Sequence, residues 1–553
     1  MARAAFLLIS CTIMGAHASH PGDTLLRQWY DVVAGHDDDL THGDLTNFFV
    51  QQGAVHRGGE LAEAAVHRLA NGAFDEGGGG LTFEAFLQSG LLPPGVEAAL
   101  AGPGHAGGPE QVHVALTDDP SALRVTWASL GSADEDAATA ALFVWPNDGA
   151  NATTAARVLP ATSTNYSVPS RWWQPRGWVG LVHSAVVPGL APGGGTHSIL
   201  PSVNGRNLST GPLVVRAPLP ATQKEITFAA FGDMGTVMPL GFKVSAKIQE
   251  NLAGLDFVFQ HGDISYAGVD TELKILNISK NDEWEFIWDL FGRQIQPIAS
   301  NIPWLVGVGN HEAWYNWTAY RSRYPMPSGP QAGAVPPFWY SFRVGNVHIC
   351  SGSSEHDYSI DSPQIAWIAA DLARAAADDS IEWIIFSVHR PLICSDTDGW
   401  NNHRPGSRML TAFEPHLGHV DLVLTGHEHC YERVHPNRNG TVVSLPNNAT
   451  GVPTYENPTA PVQVVVGSAG AMQVELWKKP TPAWSAVRFA DGVENKLEDD
   501  GNSSRAKATA GSWHYENSYG YGKISVEGAT KLTYEFVSIR DESPLKDTFV
   551  ITK

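Results

Sequence analysis

Positive charge is scarce in this chain: 36 lysines and arginines face 57 aspartates and glutamates, a formal net charge of -21. Nucleic acids and anionic membranes are bound by basic faces, so neither is expected as a partner. The deficit does not exclude an anionic substrate, because bound metal cations dominate the local field of such a site. Long apolar runs are also missing. Nothing approaches the ~20 consecutive apolar residues of a membrane-spanning helix, so no transmembrane segment is expected. Cysteine is rarer still, with four in 553 residues. Cys11 falls in the leader described next, which leaves Cys350, Cys394 and Cys430. An odd set of three closes at most one disulfide within the chain. Core size, not a cysteine framework, must supply stability.

Residues 1–18 have the layout of a signal peptide: Arg3, an apolar core over 4–14, and the small-x-small pattern Ala16-His17-Ala18. The reading is a secreted protein, extracellular or routed to the vacuole. Eight Asn-x-Ser/Thr sites agree with export and are the glycosylation candidates: Asn151, Asn165, Asn207, Asn277, Asn316, Asn439, Asn448 and Asn502.

Residues 19–108 predict a small helical region of degenerate EF-hand type, with helix-like segments at 24–34 and 59–70. Its loop offers Gly77–Gly80 where oxygen ligands belong and Ala85 at the bidentate glutamate position, so no calcium is expected. A Gly/Pro-rich linker at 102–109 follows. Residues 109–218 change to short alternating strands with turn residues at sandwich-like spacing.

The chemistry is concentrated further on. Apolar runs at 226–231 and 257–260 read as buried strands and end in Gly232-Asp233-Met234-Gly235 and Gly262-Asp263-Ile264-Ser265-Tyr266. A helix-like segment, 241–255, lies between them. Three more runs, 304–308, 383–388 and 420–425, end in Gly309-Asn310-His311-Glu312, His389-Arg390-Pro391 and Gly426-His427-Glu428-His429. Acidic and imidazole groups just past strand ends lie in the crevice where open α/β sheets bind ligands. Asp233, Asp263, Tyr266, Asn310, His389, His427 and His429 form a mixed donor set suited to first-row transition metals. Seven groups are too many for one octahedral ion that stays open to substrate. They suit two ions sharing a carboxylate.

In order and spacing these five blocks resemble those of the purple acid phosphatases, long form, within the calcineurin-like metallophosphoesterases. Tyr431-Glu432-Arg433 after the last block and Phe338-Trp339-Tyr340-Ser341-Phe342 are similar as well. The resemblance implies a fibronectin-type-III-like domain over 109–218, a metallophosphoesterase catalytic domain over 219–460, and its C-terminal part over 461–553. The fold class is then an α/β sandwich of two mixed β-sheets flanked by helices, with the closing strands adding to the second sheet.

It further implies a ferric site of Asp233, Tyr266 and His429 with Asp263, and a divalent site of Asn310, His389 and His427 with the same Asp263. The chemistry favours that split: a phenolate and two carboxylates suit Fe(III), while two imidazoles, an amide and a shared carboxylate suit zinc, manganese or ferrous iron. His311 is the candidate to hold the phosphate and protonate the leaving group. Plant-type members carry paired histidines after the fourth block, where this chain reads Arg390-Pro391-Leu392-Ile393-Cys394-Ser395-Asp396 and has no such pair. His356 and His403 are candidate substitutes in substrate binding.

The implied activity is that of an acid phosphatase hydrolysing phosphate monoesters, by attack of a metal-bound hydroxide. The alternatives are a phosphodiesterase or nucleotide pyrophosphatase on the same fold, and a metal-free binding module with a vestigial catalytic domain. The sequence leaves a homodimer open.

Overall fold

The structure, a computed structural model of the chain, describes residues 108–131, 139–147, 156–170, 177–236, 239–269, 282–396, 403–471, 477–478, 480–490, 518–540 and 546–553. The expected leader and EF-hand-like region lie outside these residues, as do Asn151, Asn277 and Asn502.

Ahead of residue 218 two antiparallel sheets enclose one core. Strands Pro109–Leu116, Leu123–Leu130, Gly180–Val187 and Thr162–Thr164 form the first. Ala140–Pro146, Arg157–Pro160, Thr196–Val203, Arg206–Asn207 and Leu213–Arg216 form the second. Their inward residues, among them Val112, Val125, Trp127, Leu142, Val144 and Ile199, pack on one another. This is how alternating strands bury one face each.

The strands that follow are, in chain order, β1 Glu225–Phe231, β2 Phe257–His261, β3 Trp304–Gly307, β4 Tyr340–Val344, β5 Val347–Ser351, β6 Trp383–Ser387 and β7 Leu422–Thr425. Four two-residue strands form two small separate sheets, and the others of the large sheets are β8 Tyr431–Val434, β9 Thr454–Glu456, β10 Val462–Val466, β11 Ser485–Phe489, β12 Gly520–Glu527, β13 Lys531–Ser538 and β14 Thr548–Thr552. They build two mixed seven-stranded sheets, ordered β3-β2-β1-β12-β13-β14-β9 and β4-β5-β6-β7-β10-β8-β11. Both contribute to one buried cluster, in which Phe231, Phe259 and Val306 of the first join Ile385, Leu424 and Val464 of the second.

β1, β2 and β3 run parallel, as do β5, β6, β7 and β10. Strands buried on both faces carry continuous apolar residues, which is why 226–231 and 422–425 read so plainly. One expectation is corrected: the closing pair β12–β13 joins the first sheet, with β12 antiparallel to β1. Helices α1 Pro239–Glu250, α2 Glu285–Ala299, α3 Trp314–Arg323 and α4 Pro363–Ala376 complete the architecture. Among the described residues no helix is long and apolar enough to cross a membrane.

The β-rich N-terminal part is fastened to α2 and α3 by buried polar groups. Gln111 donates to Asp289 at 3.1 Å, Trp178 Nε1 donates to Asp289 Oδ2 at 3.2 Å, and the Tyr166 hydroxyl donates to Glu285. Glu110 pairs with Arg293. Burial pushes the Glu285 carboxyl up to about 7 from 4.5, against the pull of Arg323. The folded chain therefore holds this proton more tightly than the unfolded one. Its contribution to stability is complete below about 4.5 and is lost as pH rises to about 7. We expect the thermal midpoint to fall between pH 5 and pH 7.5, and Glu285→Gln to flatten that slope. An unchanged slope in the variant would assign the effect to other groups.

Candidate metal centre

The five predicted strand ends meet at one place. At the end of β1, Asp233 is buried; its Oδ1 accepts from the Tyr266 hydroxyl at 3.1 Å and its Oδ2 from the His427 backbone N–H at 2.8 Å. The end of β2 brings Asp263, whose Oδ2 lies 3.4 Å from the Tyr266 hydroxyl, 3.2 Å from His389 Nε2 and 3.9 Å from His311 Nε2. Its Oδ1 accepts from the His311 N–H at 2.9 Å. His429 Nε2 lies 2.7 Å from the Tyr266 oxygen and 3.6 Å from Asp233 Oδ1. One set of donors is thus Asp233, Tyr266 and His429. A second, Asp263, His389 and His427, has ligand atoms all within 4.8 Å of one another. Asp263 touches both.

The backbone is bent to achieve this. Asp233, Asp263, Tyr266 and His427 adopt left-handed φ values of 61°, 47°, 57° and 69°. A non-glycine residue there costs ~1–3 kcal/mol, and such strain gathers at functional sites. Two glycines allow the close approach. A Cβ on Gly309 would sit 2.2 Å from Asp263 Oδ1, and one on Gly426 2.3 Å from Asp233 Oδ2.

The electrostatics suit cations. Burial, then Asp233 and Asp263, push the Tyr266 phenol well above 10, so only a strong cation would draw the phenolate out. At His389 burial is outweighed by Asp263 and Asp233, which raise it to about 10. His389 Nδ1 lies 3.1 Å from the His261 carbonyl, which fixes the ring orientation and leaves Nε2 on the Asp263 side. Asn310 Oδ1 is buried and accepts no hydrogen bond among the described residues. Two carboxylates, a phenol and three imidazoles in one pocket, with an unsatisfied amide oxygen on the adjoining loop, fit a two-ion centre.

The other predicted residues fall in different places. His311 lies at the rim of this cluster, its ring 4.3 Å from that of Tyr266 and stacked on Trp314. His403 is buried on the far side of His427, its Nε2 3.3 Å from Glu428 Oε1. His356 is not gathered in. Its ring packs on Trp317 and Phe338 and its Nδ1 meets Ser353 Oγ at 2.8 Å.

Four groups were not anticipated. Glu312 accepts from the backbone N–H groups of Gly309, Asp263 and Ile264 and staples two of the loops. Its position three residues after Gly309 was the available signal. His261 is fully buried, with no hydrogen bond to either ring nitrogen among the described residues. Glu355 and Glu428 face Arg390 and His403, and nothing in their local sequence announces it.

Residues 226–431 match the calcineurin-like phosphoesterase family, and residues 460–547 match the iron/zinc purple acid phosphatase-like protein C family. The chain therefore carries a calcineurin-like phosphoesterase domain followed by a purple acid phosphatase-like C-terminal domain. Zebrafish acid phosphatase type 7 is 33% identical over 49% of this chain and 61% of its own length. Purple acid phosphatase 18 of Arabidopsis thaliana is 31% identical over 53% of this chain and 61% of its length. A probable purple acid phosphatase 20 of the same plant is 26% identical over 80% of the chain and 88% of its length. The chain spans about three fifths of the curated relatives it matches first, at 61%, 61% and 59%. The purple acid phosphatase from yellow lupin seeds shares the fold, with a TM-score of 0.62 and 21% identity over 81% of this chain and 74% of that one.

Proposed function

We propose that this purple acid phosphatase homologue is a binuclear-metal acid phosphatase that hydrolyses phosphate monoesters. The observation that carries the reading is the position of Asp263, within reach of Tyr266 on one side and His389 on the other. Asp233, Tyr266 and His429 with Asp263 would hold Fe(III). Asn310, His389 and His427 with the same Asp263 would hold zinc, manganese or ferrous iron. Two such ions supply Lewis acidity at the phosphoryl oxygens and lower the pKa of water.

The chain's own groups do the rest. The Asp263 and Asp233 carboxylates accept hydrogen bonds inside a buried pocket. His389 keeps Nε2 directed at Asp263 through its Nδ1 contact with His261. His311, held by its own N–H on Asp263, presents an imidazole at the rim where a leaving alkoxide would depart and gives it a proton. The β-rich N-terminal part is read as a fibronectin-type-III-like support.

Export through the secretory pathway belongs to the same reading. Asn165, Asn207, Asn316, Asn439 and Asn448 are all exposed, as glycan acceptors must be.

The test is the visible spectrum of the purified protein, together with phosphate release from a monoester and from a diester. A broad visible band with monoester preference is expected, and Tyr266→Phe should remove the band because the phenolate gives the colour. An iron-loaded variant that keeps its colour would remove Tyr266 from the metal. A metal-free, inactive native protein would sink the phosphatase reading.

A further inference from the structure

Arg390 directly follows His389 and opens the loop 390–396, which lacks the histidine pair expected of plant-type relatives. Its guanidinium is gripped from one side. Nε meets Glu355 Oε1 at 2.7 Å and Nη2 meets Oε2 at 3.1 Å, a two-point fork, while the Arg390 backbone N–H donates to Ser354 Oγ at 3.1 Å. The pair is largely sheltered, with side-chain exposures of 24% for Arg390 and 11% for Glu355. The third nitrogen, Nη1, is turned away from Glu355 and lies 2.8 Å from His427 Nε2. A permanent cation is therefore aimed at the side of the centre where the divalent ion would lie.

Two plainer explanations are weaker. His403, His427 and Glu428 have metal-ligand spacing of their own. That cluster shares His427 with the Asp263 and His389 set, so it does not form an independent second site. A purely structural ion pair would be satisfied by the Glu355 fork. It would give no reason for Nη1 to point into the pocket.

We propose that Arg390 grips the phosphoryl group of the substrate, with Glu355 fixing the plane of the guanidinium. This rests on the phosphatase reading above and deepens it. A guanidinium is a fork-shaped donor that matches a phosphoryl group with free oxygens. The class it selects is the monoester dianion and inorganic phosphate, since a diester brings one negative charge and a second bulky arm.

The test measures inorganic phosphate binding to the metal-loaded protein by equilibrium dialysis, with metal content determined on the same samples and KM for p-nitrophenyl phosphate beside it. Arg390→Ala is expected to weaken phosphate binding about ten- to hundredfold and to raise KM in step, with both ions retained. Arg390→Lys should recover part of the loss, as a point charge without the fork. Glu355→Gln, which leaves the guanidinium in place but loosens it, should fall between native and Arg390→Ala. Unchanged phosphate affinity with full metal content would overturn the proposal. So would loss of the divalent ion from Arg390→Ala, because Arg390 would then serve only to orient His427. A native protein that binds phosphate through Arg390 yet releases none from a monoester would sink the phosphatase reading and leave this grip standing.

Discussion

Asparagine in place of Asp263 is expected to reduce kcat/KM for a phosphate monoester about 10³-fold or more, corresponding to ~4 kcal/mol of transition-state stabilisation. It should also reduce total metal below one equivalent per chain. The reason is position. Among the described residues Asp263 is the carboxylate within reach of the Tyr266 hydroxyl, His389 and His311 together. An amide keeps its shape and can still accept the His311 N–H through Oδ1. What it loses is the charge that both donor sets share. Asp233→Asn should be milder for the divalent ion, since Asp233 contacts Tyr266 and lies near His429 but belongs to the other set. Metal analysis and steady-state kinetics on the same preparations decide it. An Asp263→Asn protein with two ions bound and activity within tenfold of native would show that the carboxylate is not shared.

The convergence of these strand ends was readable in advance because the strands announce themselves. Each of β1, β2, β3, β6 and β7 is a short apolar run broken by glycine, histidine or both, and parallel sheets place such ends on one edge. The contacts that support the site were not readable. Glu355 meets Arg390 across 35 residues and His403 meets Glu428 across a loop, and only the completed fold sets these pairs side by side. His356 was put forward as a substitute for the missing histidine pair; in the fold its ring packs on Trp317 and Phe338, contacts its local sequence does not announce. The sheet membership of β12 and β13 was misassigned for a related reason. Alternation along β13 reveals one buried face, while the partner strand depends on β1, some 290 residues earlier in the chain. The helix α2 went unread although it is buried along most of its length. It is apolar around much of its circumference and carries Pro297, so it presents neither a clean stripe nor an unbroken helical pattern.

Alanine at Arg323 is the substitution expected to cost most in stability, ~3–5 kcal/mol, because it removes one partner of a buried charge network and leaves the others uncompensated. The guanidinium spends every edge on a different segment. Nε donates to the Tyr166 hydroxyl at 2.8 Å, Nη1 to Gln111 Oε1 at 3.0 Å and Nη2 to Asp289 Oδ1 at 2.9 Å, with Glu285 at 3.7 Å. The Trp178 ring lies 4.7 Å from its carbon centre. Burial alone would lower its pKa, but Tyr166, Asp289 and Glu285 outweigh burial and raise it. Tyr166, Trp178 and Gln111 come from the N-terminal β-rich part, while Asp289 and Glu285 come from α2. Arg323 itself ends α3, which begins just after the His311 segment. Loss of the charge should therefore loosen both the junction and the wall of the metal pocket. In a denaturant titration the midpoint should fall without a change in the final baseline, and a second transition should separate as the two parts uncouple. Arg323→Met combined with Asp289→Asn should recover part of the loss, since the stranded carboxylate goes with its partner. If Arg323→Ala costs less than about 1 kcal/mol, the junction is held by its apolar contacts and the network contributes orientation alone.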